Sequence, residues 1–300
     1  MKLRFNPIQL NIIIFFFGLL MIASCKKENS QSGSDKQQEA DASLVSSESD
    51  GEAEMIFNGV FDDAIGVSND VGMAGTGIFG RVTACYTITI SHLSTTSAFP
   101  VRFVIDFGTA GCQGLDGHIR RGKVITEYTN RLTFPGAVAT TTFYGFSVDS
   151  IKVEGTHKIT NTSSNITTQP LKRQFTADVI DGKLSKPNGN YTEWNSHKTV
   201  SQLEGLITPD YPRDDIFKIE GSAHGRVKKG SLLVAWESGI TDALIKRFNC
   251  RWIVKGTVKI VRVNNTVNSP WVALLDFGTG DCDNKAEITI NGVLYNITLH

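Results

Sequence analysis

Apolar and polar residues change their spacing once along this chain. Between Glu52 and Val67 the apolar residues Met55, Ile56, Val60, Ala64 and Val67 recur three or four positions apart, the period of a helix face. Glu52 and Glu54 stand at its N-terminal end, where negative charge suits the helix dipole. Asn69–Gly80 follows with four glycines and no period, and reads as a loop. Beyond it the period is two. Thr83–Ile90, Val101–Phe107, Lys123–Tyr128, Thr141–Val148 and Ser150–Ile159 alternate or run apolar over strand length. Arg173–Val179, Thr192–Gln202, Ile216–Gly225, Leu232–Glu237, Arg247–Val263, Val272–Phe277, Ala286–Ile290 and Val293–Leu299 continue the series. Turn signals separate them: Asp116-Gly117, Asp181-Gly182, Pro187-Asn188-Gly189, Lys229-Gly230 and Asn291-Gly292. The last sits between two alternating runs and predicts a terminal two-residue hairpin.

This pattern predicts an all-β domain over 75–300, an antiparallel meander folded as a curved sheet or a sandwich, with one short N-terminal helix in 52–74. Two echoes refine it. Val153-Glu154-Gly155-Thr156, Ile219-Glu220-Gly221-Ser222 and Val254-Lys255-Gly256-Thr257 share one order of residue types. A glycine inside a strand marks a bulge or a close backbone approach, so the trio predicts strong curvature. The second echo is a duplicated unit, about 80–128 and 245–300. Cys85 precedes Asp106-Phe107-Gly108-Thr109-Ala110-Gly111-Cys112, and Cys250 precedes Asp276-Phe277-Gly278-Thr279-Gly280-Asp281-Cys282. In each copy the aspartate ends an apolar run and Gly-Thr turns the chain, so a strand end and turn are expected.

Charge changes the picture at the N-terminal side. Lys26–Glu54 holds three lysines and eight acidic residues, a net of −5, while Met55–His300 carries +3. The acidic stretch is rich in Ser and Gln and holds no aromatic residue. Such a composition buries too little apolar surface to offset its ordering entropy. Residues 25–51 are therefore expected to form a flexible tether, with a reach of roughly 30 Å.

The first residues form a leader, 1–24. Lys2 and Arg4 precede the apolar run Ile12–Leu20, which is too short to span a bilayer. Ile22-Ala23-Ser24-Cys25 follows and resembles the lipobox of bacterial lipoproteins. The resemblance implies cleavage before Cys25, acylation of that cysteine and anchoring to a membrane that the chain does not cross. Lys26, by analogy with the sorting rule of enteric bacteria, points to the outer membrane. Lys26-Lys27-Glu28 loosely resembles the surface-export signals of Bacteroidota lipoproteins, so the periplasmic face and the cell surface both stay open. Lipobox, tether, meander and closing hairpin together resemble uncharacterised β-rich lipoproteins of Bacteroidota, a likeness of pattern that brings no activity with it.

Setting Cys25 aside leaves four cysteines in an oxidising compartment. Three pairings exist. The repeat selects Cys85–Cys112 and Cys250–Cys282, each worth about 3.5 kcal/mol by loop closure; the alternative is four buried free thiols. No C-x-x-C motif and no histidine at ligand spacing points to a metal.

Candidate chemistry is sparse. Asp-Phe-Gly occurs without the glycine-rich loop or His-Arg-Asp motif of a kinase. Asp276, Asp281 and Asp283 form a weak candidate cation site, without EF-hand spacing. The histidines are scattered, and no G-x-S-x-G elbow occurs. Basic runs at His118–Lys123, Arg226–Lys229 and Lys246-Arg247 with Arg251 are read as solvated turns, or as a face for acidic glycans if they converge. Asp149-Ser150-Ile151 matches a short glycosylation pattern at the level of chance. No cofactor and no nucleic acid is expected.

The expectation is thus a non-enzymatic, outer-membrane-anchored domain that binds or scaffolds an envelope glycan, lipid or protein. A carrier of a hydrophobic envelope molecule is the first alternative, and it requires an apolar concavity. An envelope hydrolase with a dispersed site is the second, and it requires a convergent His–carboxylate cluster.

Overall fold

The alternating runs become strands. The computed structural model describes residues 33–70, 85–114, 117–164, 173–208, 212–263 and 272–299. The leader and Cys25 lie outside them. The chain divides into two units, Met1–Gln38 and Glu39–His300. Of the first, the described part is the opening of a helix, α1, which spans Gly33–Asp70. The second holds the rest of α1 and all the described strands.

Fourteen strands are formed among the described residues. They are β1 (Thr87–His92), β2 (Val101–Asp106), β3 (Cys112–Gln113), β4 (Ile119–Tyr128), β5 (Val138–Val148), β6 (Ile151–Asn161) and β7 (Gln174–Ser185). Then come β8 (Tyr191–Glu204), β9 (Ile216–Lys229), β10 (Leu232–Arg247), β11 (Ile253–Arg262), β12 (Val272–Thr279), β13 (Lys285–Ile290) and β14 (Val293–Thr298). They make one sheet in chain order, with the short β3 set aside against β4. It is a meander in a single curved sheet, not a sandwich. Asn291 and Gly292 both take positive φ in the expected hairpin, where Ile290 pairs with Val293. Several boundaries differ from the sequence pattern: β4, β7, β9 and β10 are longer than the runs that predicted them, and Asp181-Gly182, expected as a turn, is an irregularity within β7, where the register against β8 shifts and Asp181 takes positive φ. β10 runs on to Arg247, and β11 starts at Ile253, because the turn between them contains no glycine or proline to mark it.

The three echoed glycines sit at bulges. Their φ angles are 113°, 134° and 115° at Gly155, Gly221 and Gly256. A Cβ at Gly221 would stand 2.3 Å from the carbonyl oxygen of His197 on the neighbouring strand. Register shifts flank Gly155 and Gly256. Such bulges bend the strand and add twist, which is how the sheet curves. The thirteen strands of the main path are joined by twelve antiparallel pairings. An even number of reversals leaves β1 and β14 pointing the same way. Antiparallel closure between them is therefore impossible, and no pairing of β1 with β14 is formed among the described residues, so the sheet is open.

Both cysteine pairs form as the repeat requires, Cys85–Cys112 and Cys250–Cys282. Asp106 ends β2 as expected, whereas Asp276 does not end its strand, since β12 runs on to Thr279, still paired to Lys255 across a register shift; both aspartates nonetheless accept the same local hydrogen bond. Asp106 Oδ1 accepts the N–H of Gly108 at 2.9 Å, and Asp276 Oδ1 that of Gly278 at 2.8 Å.

The helix corrects the expectation most. It is not short and does not begin near Glu52: residues 33–51, expected as tether, are helical, and from Ala42 to Ile65 nearly every turn is buried on all sides. The concave face of the sheet surrounds it. Ala42, Ser43, Ser46, Ser47, Ser49, Gly51 and Ala53 are small enough for close approach, and Leu299 and Leu275 pack where a Cβ on Gly51 would stand. Below them Phe57 stacks on Trp194 with centroids 5.6 Å apart, and Phe61 meets Phe175 and Phe217 edge-on. Tyr128 donates its hydroxyl hydrogen to the carbonyl of Ala64 at 2.7 Å. The outer face of the sheet is polar, with cross-strand pairs such as Arg102–Glu127 and Arg226–Glu193. That face is unlike the apolar band of a membrane-spanning barrel.

Candidate functional site

A helix this polar can be enclosed only if the sheet answers its charges. It does so residue by residue. Asp50 Oδ1 accepts the indole N–H of Trp194 at 2.9 Å and of Trp236 at 2.9 Å, and the hydroxyl of Ser238 at 3.0 Å. Burial raises the Asp50 pKa, which Lys198 and the two indoles partly restore. Lys198 pairs with Glu54 at 3.0 Å, and both side chains are almost fully enclosed. Asp62 pairs with Lys246 at 2.7 Å. Burial lifts Asp62 to about 6 against the pull of that lysine. Lys246 also donates to the carbonyls of Arg247 and Cys250, so all its hydrogens are directed into protein. At the helix start Glu39 meets Arg262. These groups hold the helix in place; each is committed to another part of the same unit.

One end of this arrangement is different. A cavity of about 280 Å³ opens where α1 passes the β7–β8 turn and the end of β9. Glu48 and Glu52, one helical turn apart, line it together with Lys186, Lys228 and Lys229. Glu52 pairs with Lys186 at 2.9 Å and Glu48 with Lys229 at 3.3 Å. Lys228 has no ion pair among the described residues. The charge of the bordering residues is thus +3 − 2 = +1; Lys228 alternates with the buried Val227 and shares the outer face with Arg226, so it stands at the mouth. Leu299 supplies an aliphatic wall, and Tyr191, with the Lys183 ammonium 4.8 Å over its ring, borders the mouth. The volume is at the lower end of the range for small-molecule sites. A compact anion with one apolar side fits this lining.

Other places singled out in the sequence have structural roles. Asp276 and Asp283 cap turns, accepting the N–H groups of Gly278 and Lys285, and Asp281 is exposed. No group of three His, Cys, Asp or Glu side chains among the described residues is placed to hold a metal ion, so the candidate trio does not converge. Asp149 and Ser150 form the tight β5–β6 turn, both at positive φ. The Asp149 carboxylate accepts the N–H of Ile119 at 2.8 Å and contacts His118 Nδ1, which ties that turn to the start of β4. His197 and Asp178 pair at 2.5 Å across β7 and β8 on the outer face, with the imidazole exposed. Of the basic runs, Lys228 and Lys229 sit at a turn as expected, whereas Lys246 is buried. Two tryptophans, Trp194 and Trp236, are core residues, and their N–H groups serve the helix.

The sequence pattern missed Glu48, Glu52 and Lys186 as neighbours. The available signal was spacing: Glu48 with Glu52, and Asp50 with Glu54, stand four apart in a stretch whose buried positions Ala42, Val45, Ser49, Ala53 and Ile56 also step by three and four. Compared with known protein families, with curated proteins and with solved structures, the chain matches none.

His157 provides a pH test of the enclosed face. It is buried against Phe57, and its Nδ1 has no hydrogen-bond partner among the described residues. Burial pulls its pKa from 6.5 to about 4, with Asp178 pulling the other way. The unfolded chain therefore takes up this proton at a higher pH than the folded one. The stability tied to neutral His157 is full above pH 6.5 and is lost as pH falls to 4. Relative to His157→Phe, the native chain loses about 3 kcal/mol over that interval. Urea unfolding of both chains at several pH values measures it, and parallel pH curves would contradict the assignment.

Proposed function

We propose that this chain is an envelope lipoprotein, acylated at Cys25 and held at the outer membrane, whose β-rich unit is a non-enzymatic binding domain. Its ligand seats in the cavity beside Glu48 and Glu52. The observation that carries this reading is the rim cavity, where Glu52–Lys186 and Glu48–Lys229 are paired and a third lysine, Lys228, borders the mouth from the outer side of β9 with no ion pair among the described residues. Lys228 sets the sign of the ligand, Leu299 gives it an apolar side, and the volume limits it to about one sugar ring. The chemistry is that of a hexuronate or a similar acidic saccharide unit, as envelope glycans present. A carrier of a hydrophobic molecule would need the space that Ala53, Met55, Phe57 and Phe61 fill, which favours binding at the rim over binding inside.

Titration of full-length protein with glucuronate and with glucose, followed calorimetrically, tests the site. Glucuronate binds, glucose binds at least about tenfold more weakly, and Lys228→Gln removes that preference. Equal binding of the two sugars, or a preference that survives Lys228→Gln, would refute it. The anchor has its own test, independent of the ligand: palmitate incorporation in cells, which Cys25→Ala abolishes. Labelling that persists in the variant would refute the lipid attachment.

A further inference from the structure

The two copies of the duplicated unit agree strand by strand. Thr87 opposes Asp106 in the β1–β2 pair, and Thr257 opposes Asp276 in the β11–β12 pair. Ile88 faces Ile105 as Val258 faces Leu275, and Ile90 faces Phe103 as Ile260 faces Ala273. β1 is therefore the counterpart of β11. Their surroundings differ. Val258 and Ile260 are 2 % and 1 % exposed, while Ile88 and Ile90 are 43 % and 53 % exposed. The cause lies on the other side of each strand. β11 has β10 there, with Ile240 beside Val258 and Ser238 beside Ile260. β1 has no second neighbour among the described residues. Among the described residues the first copy is short of one strand that the second copy has.

An unpaired edge is commonly protected by a charge, a proline or a bulge. Thr87-Ile88-Thr89-Ile90-Ser91-His92 carries no proline and no Asp, Glu, Lys or Arg, and its pairing to β2 runs without a shift. Among the described residues the sheet offers β1 no neighbour on that side, and β14 runs in the same direction as β1. The strand is its own complement: paired antiparallel about Thr89, Ile88 meets the second Ile90, Ile90 the second Ile88, and Thr87 the second Ser91. A two-fold axis perpendicular to the sheet keeps the isoleucines of both copies on the core side, since Ile88 and Ile90 share a face with the buried Ile105 and Phe103. A β1–β14 contact between molecules would be head-to-tail, giving a ring or an open filament; β1 against β1 closes at two.

We propose that β1 is an assembly edge and that a second copy of this chain occupies it, β1 against β1 about a two-fold axis at Thr89. The shared sheet then runs through both molecules, and the four isoleucines form one covered row.

The test uses cysteine cross-linking in the full-length protein. At the axis a residue meets its own copy, so Thr89→Cys gives a disulfide-linked dimer on a non-reducing gel. Ser91→Cys, which faces residue 87 of the other copy, links several-fold less. Adding Ile88→Lys and Ile90→Lys to Thr89→Cys abolishes the dimer, and because both sites are exposed the fold survives, as far-UV circular dichroism verifies. A monomeric Thr89→Cys, or equal linking through Ser91→Cys, would overturn the proposal. So would a dimer that persists in the double-lysine background, or one made by Val293→Cys on β14 instead.

Discussion

A carboxylate enclosed by a β-sheet must be given donors or it must not be there. Asp50 sits inside this sheet with two indole N–H groups and a hydroxyl on one oxygen. The remainder of the structure depends on the same condition repeated along α1: Glu54 on Lys198, Asp62 on Lys246, Glu39 on Arg262. A buried ion pair adds little net stability over an apolar pair, but leaving one partner alone costs about 3–5 kcal/mol. Such pairs therefore fix position more than they add strength. A shift of the helix by one residue moves each carboxylate by about 1.5 Å and turns it through roughly 100°, which breaks all of the pairs together. The pairs fix the register of helix against sheet.

That register decides where a ligand can go. With Phe57 on Trp194 and Phe61 between Phe175 and Phe217, the concave face is occupied by the chain's own helix. What the fixed helix leaves accessible is the rim, where Glu48 and Glu52 meet Lys186 and Lys229 and where Lys228 remains over. The pairs deeper in the unit thus preset the geometry of the outer ones, and a ligand entering there loses little to ordering entropy.

The sheet was legible because a strand buried on one face writes its period into the sequence. The Asn291-Gly292 hairpin, the bulges at Gly155, Gly221 and Gly256, and both disulfides follow from local pattern and from the repeat. The helix was not legible in the same way. Its N-terminal half has the composition of a solvated tether, and composition assumes that charges go to water. Here they go to Lys198, Lys186 and Lys229, which lie far away in sequence on strands that look ordinary. The opposed charges, −5 over Lys26–Glu54 and +3 over Met55–His300, were the visible trace of that pairing. The cavity was hidden for the same reason, since its lining comes from α1, two turns and the end of β14.

The central claim is that residues 42–65 of α1 are a part of the core and not an extension of a tether. Hydrogen–deuterium exchange of the full-length protein, read by peptide, measures this directly. Peptides covering 42–54 should exchange as slowly as those from β8 and β10, whose Trp194 and Trp236 bind Asp50. Exchange of 42–54 at the rate of unstructured chain, with β8 and β10 still protected, would contradict the account.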